Sequence, residues 1–200
     1  MGPGAILREF RVTNGWTLAD VHSMTGISVS TLSKIETGKV DPHYTKLMVL
    51  SDKLGLDIAH LIAAPQPMAP QTLTAVQEHF RKPVLLGRRA ITRAGGETRR
   101  EDPNYGFRMH AADLLQRSLH PMVLTIRARS RQEFGDFMRH SGEEFAYVLE
   151  GEVEFCSEQY APVRLSVGDS IYFDAEMGHC WIAVAEGQCT ILTVFNKTRE

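Results

Sequence analysis

The sequence predicts an α + β protein of two domains, and three observations carry that prediction. From Ala5 to Ala64, apolar residues recur every three or four positions between capping residues and glycines, which is the period of helices. From residue 88 onward, short alternating runs follow one another between glycine turns, which is the period of half-buried strands. Between them, Ala63-Ala64-Pro65-Gln66-Pro67-Met68-Ala69-Pro70-Gln71 is rich in Pro, Ala and Gln and reads as a semi-rigid connector. The expected division is a helical domain at 1–64, a linker at 65–87 and a strand-built domain at 88–200.

The chain of 200 residues, 43% of them hydrophobic, can build a sizeable core, as one large domain or two small ones. No apolar run approaches the roughly 20 residues needed to cross a bilayer, so no membrane partner is expected. Met1-Gly2-Pro3-Gly4 lacks the charged-then-apolar pattern of a secretory signal. Cys156, Cys180 and Cys189 are an odd number without Cys-x-x-Cys spacing, which fits reduced thiols in a cytoplasm. Net charge is −2, but Arg81 to Arg131 is strongly basic and the part after it is acidic.

In the helical part, Ile6, Phe10 and Val12 predict a first helix ending near Asn14-Gly15. Thr17-Leu18-Ala19-Asp20 has the form of a capping box opening a second helix, which stops at Thr25-Gly26. Ser28 caps a third helix through Glu36, with Leu32 and Ile35 inward and Ser30, Thr31, Ser33 and Lys34 outward. A fourth follows Asp41-Pro42 and buries Leu47, Leu50 and Leu54; a short fifth holds Ile58, Leu61 and Ile62. Beyond the connector, Leu73 to Phe80 is expected as a short helix and Arg88 to Arg93 as a first strand before the turn at Gly95-Gly96. The basic cluster there (Arg81, Lys82, Arg88, Arg89, Arg93, Arg99, Arg100) has three readings: contact with a nucleic-acid backbone, pairing with an acidic partner subunit, or a solvated face. Tyr105 to Leu115 and Met122 to Arg131 read as further strands, the latter with Leu124, Ile126 and Ala128 on one face. Its arginines are expected outside, unless a bulge turns Arg127 or Arg129 inward toward an anion.

Two short helices joined by a glycine turn, the second polar outside, make a helix-turn-helix. The run from Gly26 to Lys39 resembles the phage-repressor-type (XRE-like) DNA-binding family, which implies a five-helix domain whose third helix enters the major groove of double-stranded operator DNA. By position, Val29, Ser30 and Lys34 would approach bases, with Thr31 on the same face, while Ser28, Thr37 and Lys39 would approach phosphates. The chain departs from that family at His22, where a small alanine usually packs against the third helix. Charges between Ala5 and Ala64 roughly cancel, so electrostatics alone do not announce nucleic acid. A helical bundle used only for dimerisation is the plainer alternative.

The second focus is His140-Ser-Gly-Glu-Glu-Phe-Ala-Tyr-Val-Leu-Glu-Gly151. His140 and Glu144 are an even number of residues apart, so on an extended chain both face one way; Met138 shares that parity. Gly151 marks a tight turn into the returning strand Glu152-Val153-Glu154-Phe155, and Gly168 to His179 supplies another turn, strand and histidine. These segments resemble the two motifs of the cupin superfamily, which implies a double-sheet jelly-roll barrel with an internal pocket. There His140, Glu144 and His179 would occupy metal-ligand positions for Fe, Zn, Mn or Ni, and the effector pocket would hold Met138, His140, Glu144, Tyr147 and His179. The resemblance is incomplete. Met138 replaces a first histidine with a soft thioether, Asp174 and Glu176 stand where that family favours proline and glycine, and Ala183 where it favours asparagine. A metal-free pocket, with the same groups hydrogen-bonding an effector or one another, is the other reading. Cys180 lies on the opposite face from His179 by parity and is expected to pack. His43, His60, His79, His110 and His120 show no ligand spacing.

Together the resemblances imply a homodimeric DNA-binding regulator, not an enzyme, that senses a small-molecule effector. The alternative is a mononuclear non-haem iron enzyme, since hydroxyalkylphosphonate epoxidases and dioxygenases resemble this layout and share the His-x-x-x-Glu…His spacing.

Overall fold

The computed structural model describes residues 2–56, 58, 61, 87–114 and 117–196. Four helices open the chain: α1 (Pro3–Thr13), α2 (Leu18–Thr25), α3 (Val29–Glu36) and α4 (Tyr44–Leu54). Each start has a local cause. Proline occupies the first turn of α1, where a missing N–H costs nothing. Thr17 and Asp20 cap each other's backbone at α2, as the sequence predicts. Ser28 accepts from the Thr31 N–H at α3, and Gly26 takes the left-handed conformation that stops α2. Ile58 and Leu61 are helical and buried, in keeping with a fifth helix; Ile62, the connector and the expected Leu73–Phe80 helix lie outside the described residues.

Val21, Leu32, Ile35, Leu47 and Leu50 are nearly inaccessible and form the helical core. Leu7 is the apolar residue of α1 buried in it, with Ile6 and Phe10 packed against it, whereas Val12 is 59% exposed. Gly4 lets α1 cross the end of α3 at backbone contact. Arg11 locks that crossing with a two-pronged pair to Glu36, at 2.6 and 2.9 Å.

Among the described residues nine strands follow: β1 (Thr98–Glu101), β2 (Tyr105–Met109), β3 (Leu119–Ile126), β4 (Glu143–Glu150), β5 (Glu152–Ser157), β6 (Val163–Ser166), β7 (Ser170–Asp174), β8 (His179–Ala183) and β9 (Cys189–Asn196). A single helical turn, α5 (Arg131–Phe134), separates β3 from β4. The strands form a six-stranded sheet, β1-β2-β3-β9-β4-β7, and a three-stranded sheet, β6-β5-β8, all paired antiparallel. Inner faces of both sheets meet in one apolar core containing Tyr105, Phe107, Phe155, Trp181 and Phe195.

Three strand expectations are corrected. Residues 88–93 form no strand; the first is Thr98–Glu101, which follows the Gly95-Gly96 turn and pairs with β2. The Tyr105 strand ends at Met109, because Ala111 adopts φ 51° and its N–H turns to the Thr92 hydroxyl. The next strand is Leu119–Ile126, since the Arg127 N–H leaves the ladder for the Asn104 carbonyl. Leu124, Ile126 and Ala128 are inward as expected.

The two parts of the chain touch through α4. Tyr44 is 4% exposed and stacks on Phe107 at 4.0 Å between ring centroids. Its hydroxyl meets Met122 Sδ at 3.7 Å.

Candidate functional site

On the helical domain, Val29, Ser30, Lys34, Thr37 and Lys39 are exposed along and just beyond α3, and Ser28 is exposed at its start. Thr31 is half-buried. Leu32 and Ile35 hold the opposite face in the core, so the helix cannot rotate without exposing them. Ser28 Oγ lies 3.1 Å from Ser30 Oγ and 2.8 Å from Thr31 Oγ1, gathering three hydroxyls at the helix start. The Thr37 hydroxyl donates to the Ser33 carbonyl at 2.7 Å. His22 is exposed, its Nδ1 3.0 Å from the Ile27 carbonyl, so the imidazole leans along the turn and does not prise α2 from α3.

In the barrel, Glu144 is the second residue of β4 and faces inward by strand alternation. His140 arrives on the segment just before it, held by the bond from its N–H to the Ala175 carbonyl at 3.0 Å. Gly142 makes the intervening turn at φ 92°, and a Cβ there would sit 2.1 Å from the Asn196 carbonyl oxygen, so only glycine fits. His179 opens β8, bridged to Met138 by a reciprocal pair of backbone bonds at 3.0 Å.

These elements bring His140, Glu144 and His179 together, with one ligand atom of each within 4.8 Å of the others and all three buried. His140 Nε2 is 3.0 Å and His179 Nε2 4.0 Å from Glu144 Oε2. The His179 Nδ1–H donates to the Met177 carbonyl at 2.8 Å, which leaves Nε2 as the lone-pair atom. That buried Nε2 has no hydrogen-bond partner among the described residues. The Thr193 hydroxyl donates to Glu144 Oε1 and fixes the carboxylate. Burial pushes His179 below its usual value, keeping the imidazole neutral. Burial would raise Glu144, but the hydrogen bond and charge of His140 and the Thr193 hydroxyl outweigh it and hold the carboxyl below its usual range. A neutral imidazole with an unused lone pair beside a fixed carboxylate is a donor set suited to a divalent transition metal.

Met138 is buried beside this cluster. Tyr147 is not part of it. It lies three residues after Glu144, so the pleat turns it to the outer face, 38% exposed and opposite Leu192 and Ser170. Arg127 and Arg129 also stay outside, the first paired with Glu101 and the second bound to the Ala185 and Gly187 carbonyls. Cys180 sits opposite Cys156 on the outer face of the smaller sheet, and burial pushes its thiol up to about 12, consistent with packing. His120 is buried and stacked on Phe195 at 4.7 Å.

Sequence reasoning missed a set of groups joining this cluster to the helical domain. The Asp102 carboxylate accepts from the Tyr44 N–H at 3.2 Å, capping α4 where His43 supplies no side-chain cap. Arg100 reaches Asp41 at 3.3 Å and also the Pro42 carbonyl. Near the far end of α4, Asp52 accepts from the hydroxyl of Ser141, the residue after His140. The lone sequence signal was that His43 is a poor cap for the helix it precedes.

A helix-turn-helix family model matches residues 7–61, and a cupin domain model matches residues 130–195. The HTH-type transcriptional regulator PuuR of Escherichia coli (strain K12) is 23% identical over 201 residues, covering 99% of this chain and 96% of that protein. A structure of an HTH_3-family transcriptional regulator from Vibrio cholerae superposes with TM-score 0.65 and 17% identity, covering 98% of this chain and 95% of the other. Apo-HppE gives TM-score 0.47 and 20% identity over 97% of each chain, too distant to bear on function. Among the described residues no helix is long and apolar enough to cross a membrane. With a helix-turn-helix domain at residues 7–61 ahead of a cupin domain at residues 130–195, the chain is similar over nearly its whole length to an HTH-type transcriptional regulator.

Proposed function

We propose that residues 1–64 read an operator in double-stranded DNA as one half of a homodimer, and that residues 88–200 sense a small-molecule effector, acting in the cytoplasm. In this reading Val29, Ser30, Thr31 and Lys34 face the bases, and Ser28, Thr37 and Lys39 the phosphates. His140, Glu144 and His179 hold a divalent metal (Fe, Zn, Mn or Ni), which supplies a Lewis-acidic anchor for an oxygen-bearing effector. Met138 lines the same space. Trp181 adds a donor, since its Nε1–H is buried two residues along β8 without a hydrogen-bond partner among the described residues.

The observation that carries the proposal is the attachment of α4 to the sensor at both ends, by Asp102 at the start and by Ser141 near the finish. Ser141 adjoins His140, so a shift of the ligand loop pulls on a helix of the reading domain. Tyr44 is the buried pivot between them; burial raises its phenol far above the ordinary range, and the charge of Glu144 adds to that. An occupant that favours one arrangement by about 1–3 kcal/mol changes operator affinity roughly 5- to 150-fold.

The test is selection of bound duplexes from a random DNA library at low salt, followed by metal analysis of the purified protein. A recovered consensus that Lys34→Ala no longer retains supports the reading, and failure to enrich any sequence overturns it. A mononuclear iron enzyme is the second reading, favoured by the two-histidine, one-carboxylate set. We read the chain as non-catalytic, and steady oxygen consumption by Fe(II)-loaded protein would reverse that assignment.

A further inference from the structure

We propose that α4 is the lid of the barrel: an occupant larger than an ion reaches His140, Glu144 and His179 only when this helix lifts away from the strand-built domain. The inference rests on the sensor role proposed above and adds how that site is opened. Neighbouring strands lie about 4.8 Å apart, so a three-stranded sheet is roughly half as wide as the six-stranded sheet it faces. Part of the larger sheet's inner face is therefore left for another element to cover.

That element is α4. Tyr44, its first residue, stacks on Phe107 of β2 and meets Met122 Sδ of β3, both buried. Met122 is paired with Thr193 on β9, and the Thr193 hydroxyl donates to Glu144. The Tyr44 hydroxyl thus lies two side chains from the carboxylate, and the charge of Glu144 is among the causes that raise it. From Tyr44 to Asp52 the helix rises about 12 Å at 1.5 Å per residue. There Asp52 accepts from Ser141, beside His140. The helix is anchored on the Met122 side of the cluster and again on the His140 side. With it in place, His140, Glu144 and His179 are all buried. The seat is one buried ring and a few polar bonds: Tyr44 N–H to Asp102, Arg100 to Asp41 and Pro42, and Ser141 to Asp52. A junction of this kind opens locally without global unfolding. An occupant that must wait for the open form binds more weakly by the fraction of time the lid is up.

The test is acylation of imidazoles by diethyl pyrocarbonate, read by peptide mass spectrometry on the full chain after dialysis against EDTA. His179 is the reporter. Its Nε2 has no hydrogen-bond partner among the described residues, so slow labelling reports closure and not a competing bond. Exposed His22 is the standard in the same digest. Wild type should label His179 far more slowly than His22. Tyr44→Ala should speed His179 on the order of 10-fold with His22 unchanged, because labelling through fast reclosing follows the open population. Should loss of the ring loosen the helical domain itself, Asp102→Ala keeps every core ring, removes one anchor of α4, and should still speed His179 about 3-fold. Thr17→Ala weakens the helical domain away from the junction and should leave the rate as in wild type. His179 labelled as fast as His22 in wild type overturns the lid. So does a single rate across wild type, Tyr44→Ala and Asp102→Ala, or a Thr17→Ala rate that matches Asp102→Ala. Neither DNA nor effector enters this readout, so a failed operator selection removes the reader and leaves the lid standing. A failed lid leaves the DNA-reading proposal intact.

Discussion

Replacing Tyr44 tests whether the helical and strand-built parts are one cooperative unit. Its ring stacks on Phe107 at 4.0 Å and is 4% exposed, so most of an aromatic side chain is withdrawn from water. At ~25 cal/mol per Å², burial of about 150–200 Å² corresponds to roughly 4–5 kcal/mol as an upper bound. Tyr44→Ala should therefore cost about 3–5 kcal/mol, the range for large aromatic truncations. Tyr44→Phe removes only the hydroxyl, whose partner is a weak thioether acceptor at 3.7 Å, and should cost about 0.5–1 kcal/mol at most. Thermal unfolding followed by circular dichroism, with Trp181 and Trp16 fluorescence in parallel, separates the cases. Wild type and Tyr44→Phe should unfold in one transition within a few degrees of each other. Tyr44→Ala should split it, with the helical signal lost on the order of 10 °C earlier. A Tyr44→Ala protein that still unfolds in one transition, shifted no more than Tyr44→Phe, would refute the argument that this contact joins the domains.

Gly4→Ala places a Cβ 1.8 Å from the Ile35 carbonyl oxygen, a backbone atom that cannot swing away. It should lower stability by about 2–3 kcal/mol and weaken duplex binding, read by denaturant titration and gel shift. Thr17→Ala removes the capping box and should cost about 1 kcal/mol in the same titration. Backbone and hydroxyl bonds from Thr17 hold the Asp20 carboxyl below its usual value, so the box contributes above the ordinary carboxylate range and fades as pH falls through the lowered value. The difference between wild type and Thr17→Ala should shrink accordingly in acid. Glu144→Gln keeps the shape but removes the charge that neutralises a cation, and should abolish tight uptake of Zn(II) or Fe(II) measured by elemental analysis after dialysis.

The division into a helical and a strand-built part was legible because the period of apolar residues changes from that of helices to that of strands. His140, Glu144 and His179 were legible through parity and turn glycines, which survive folding as shared facing. Tyr147 was misplaced for the same reason inverted: its odd offset from Glu144 puts it on the other face. The edge strand was misread because Arg88–Arg93 offered a β-like pattern, while pairing, which decides a strand, was available only at Thr98–Glu101. The domain junction was hidden altogether. Asp102 lies 58 residues from Tyr44, and Ser141 lies 89 from Asp52, and no local pattern encodes such pairs.

The most direct test of coupling is operator affinity measured with and without saturating Zn(II) or Fe(II), in wild type and in Asp52→Ala. Among the described residues, Asp52 meets the strand-built domain through the Ser141 hydroxyl, and it lies on α4 rather than α3. Wild type should respond to the metal within the roughly 5- to 150-fold span, and Asp52→Ala should bind DNA as well as wild type while its response falls below about 2-fold. An equal metal response in both proteins, or none in either, would contradict the claim that the ligand loop speaks to the reading domain through α4.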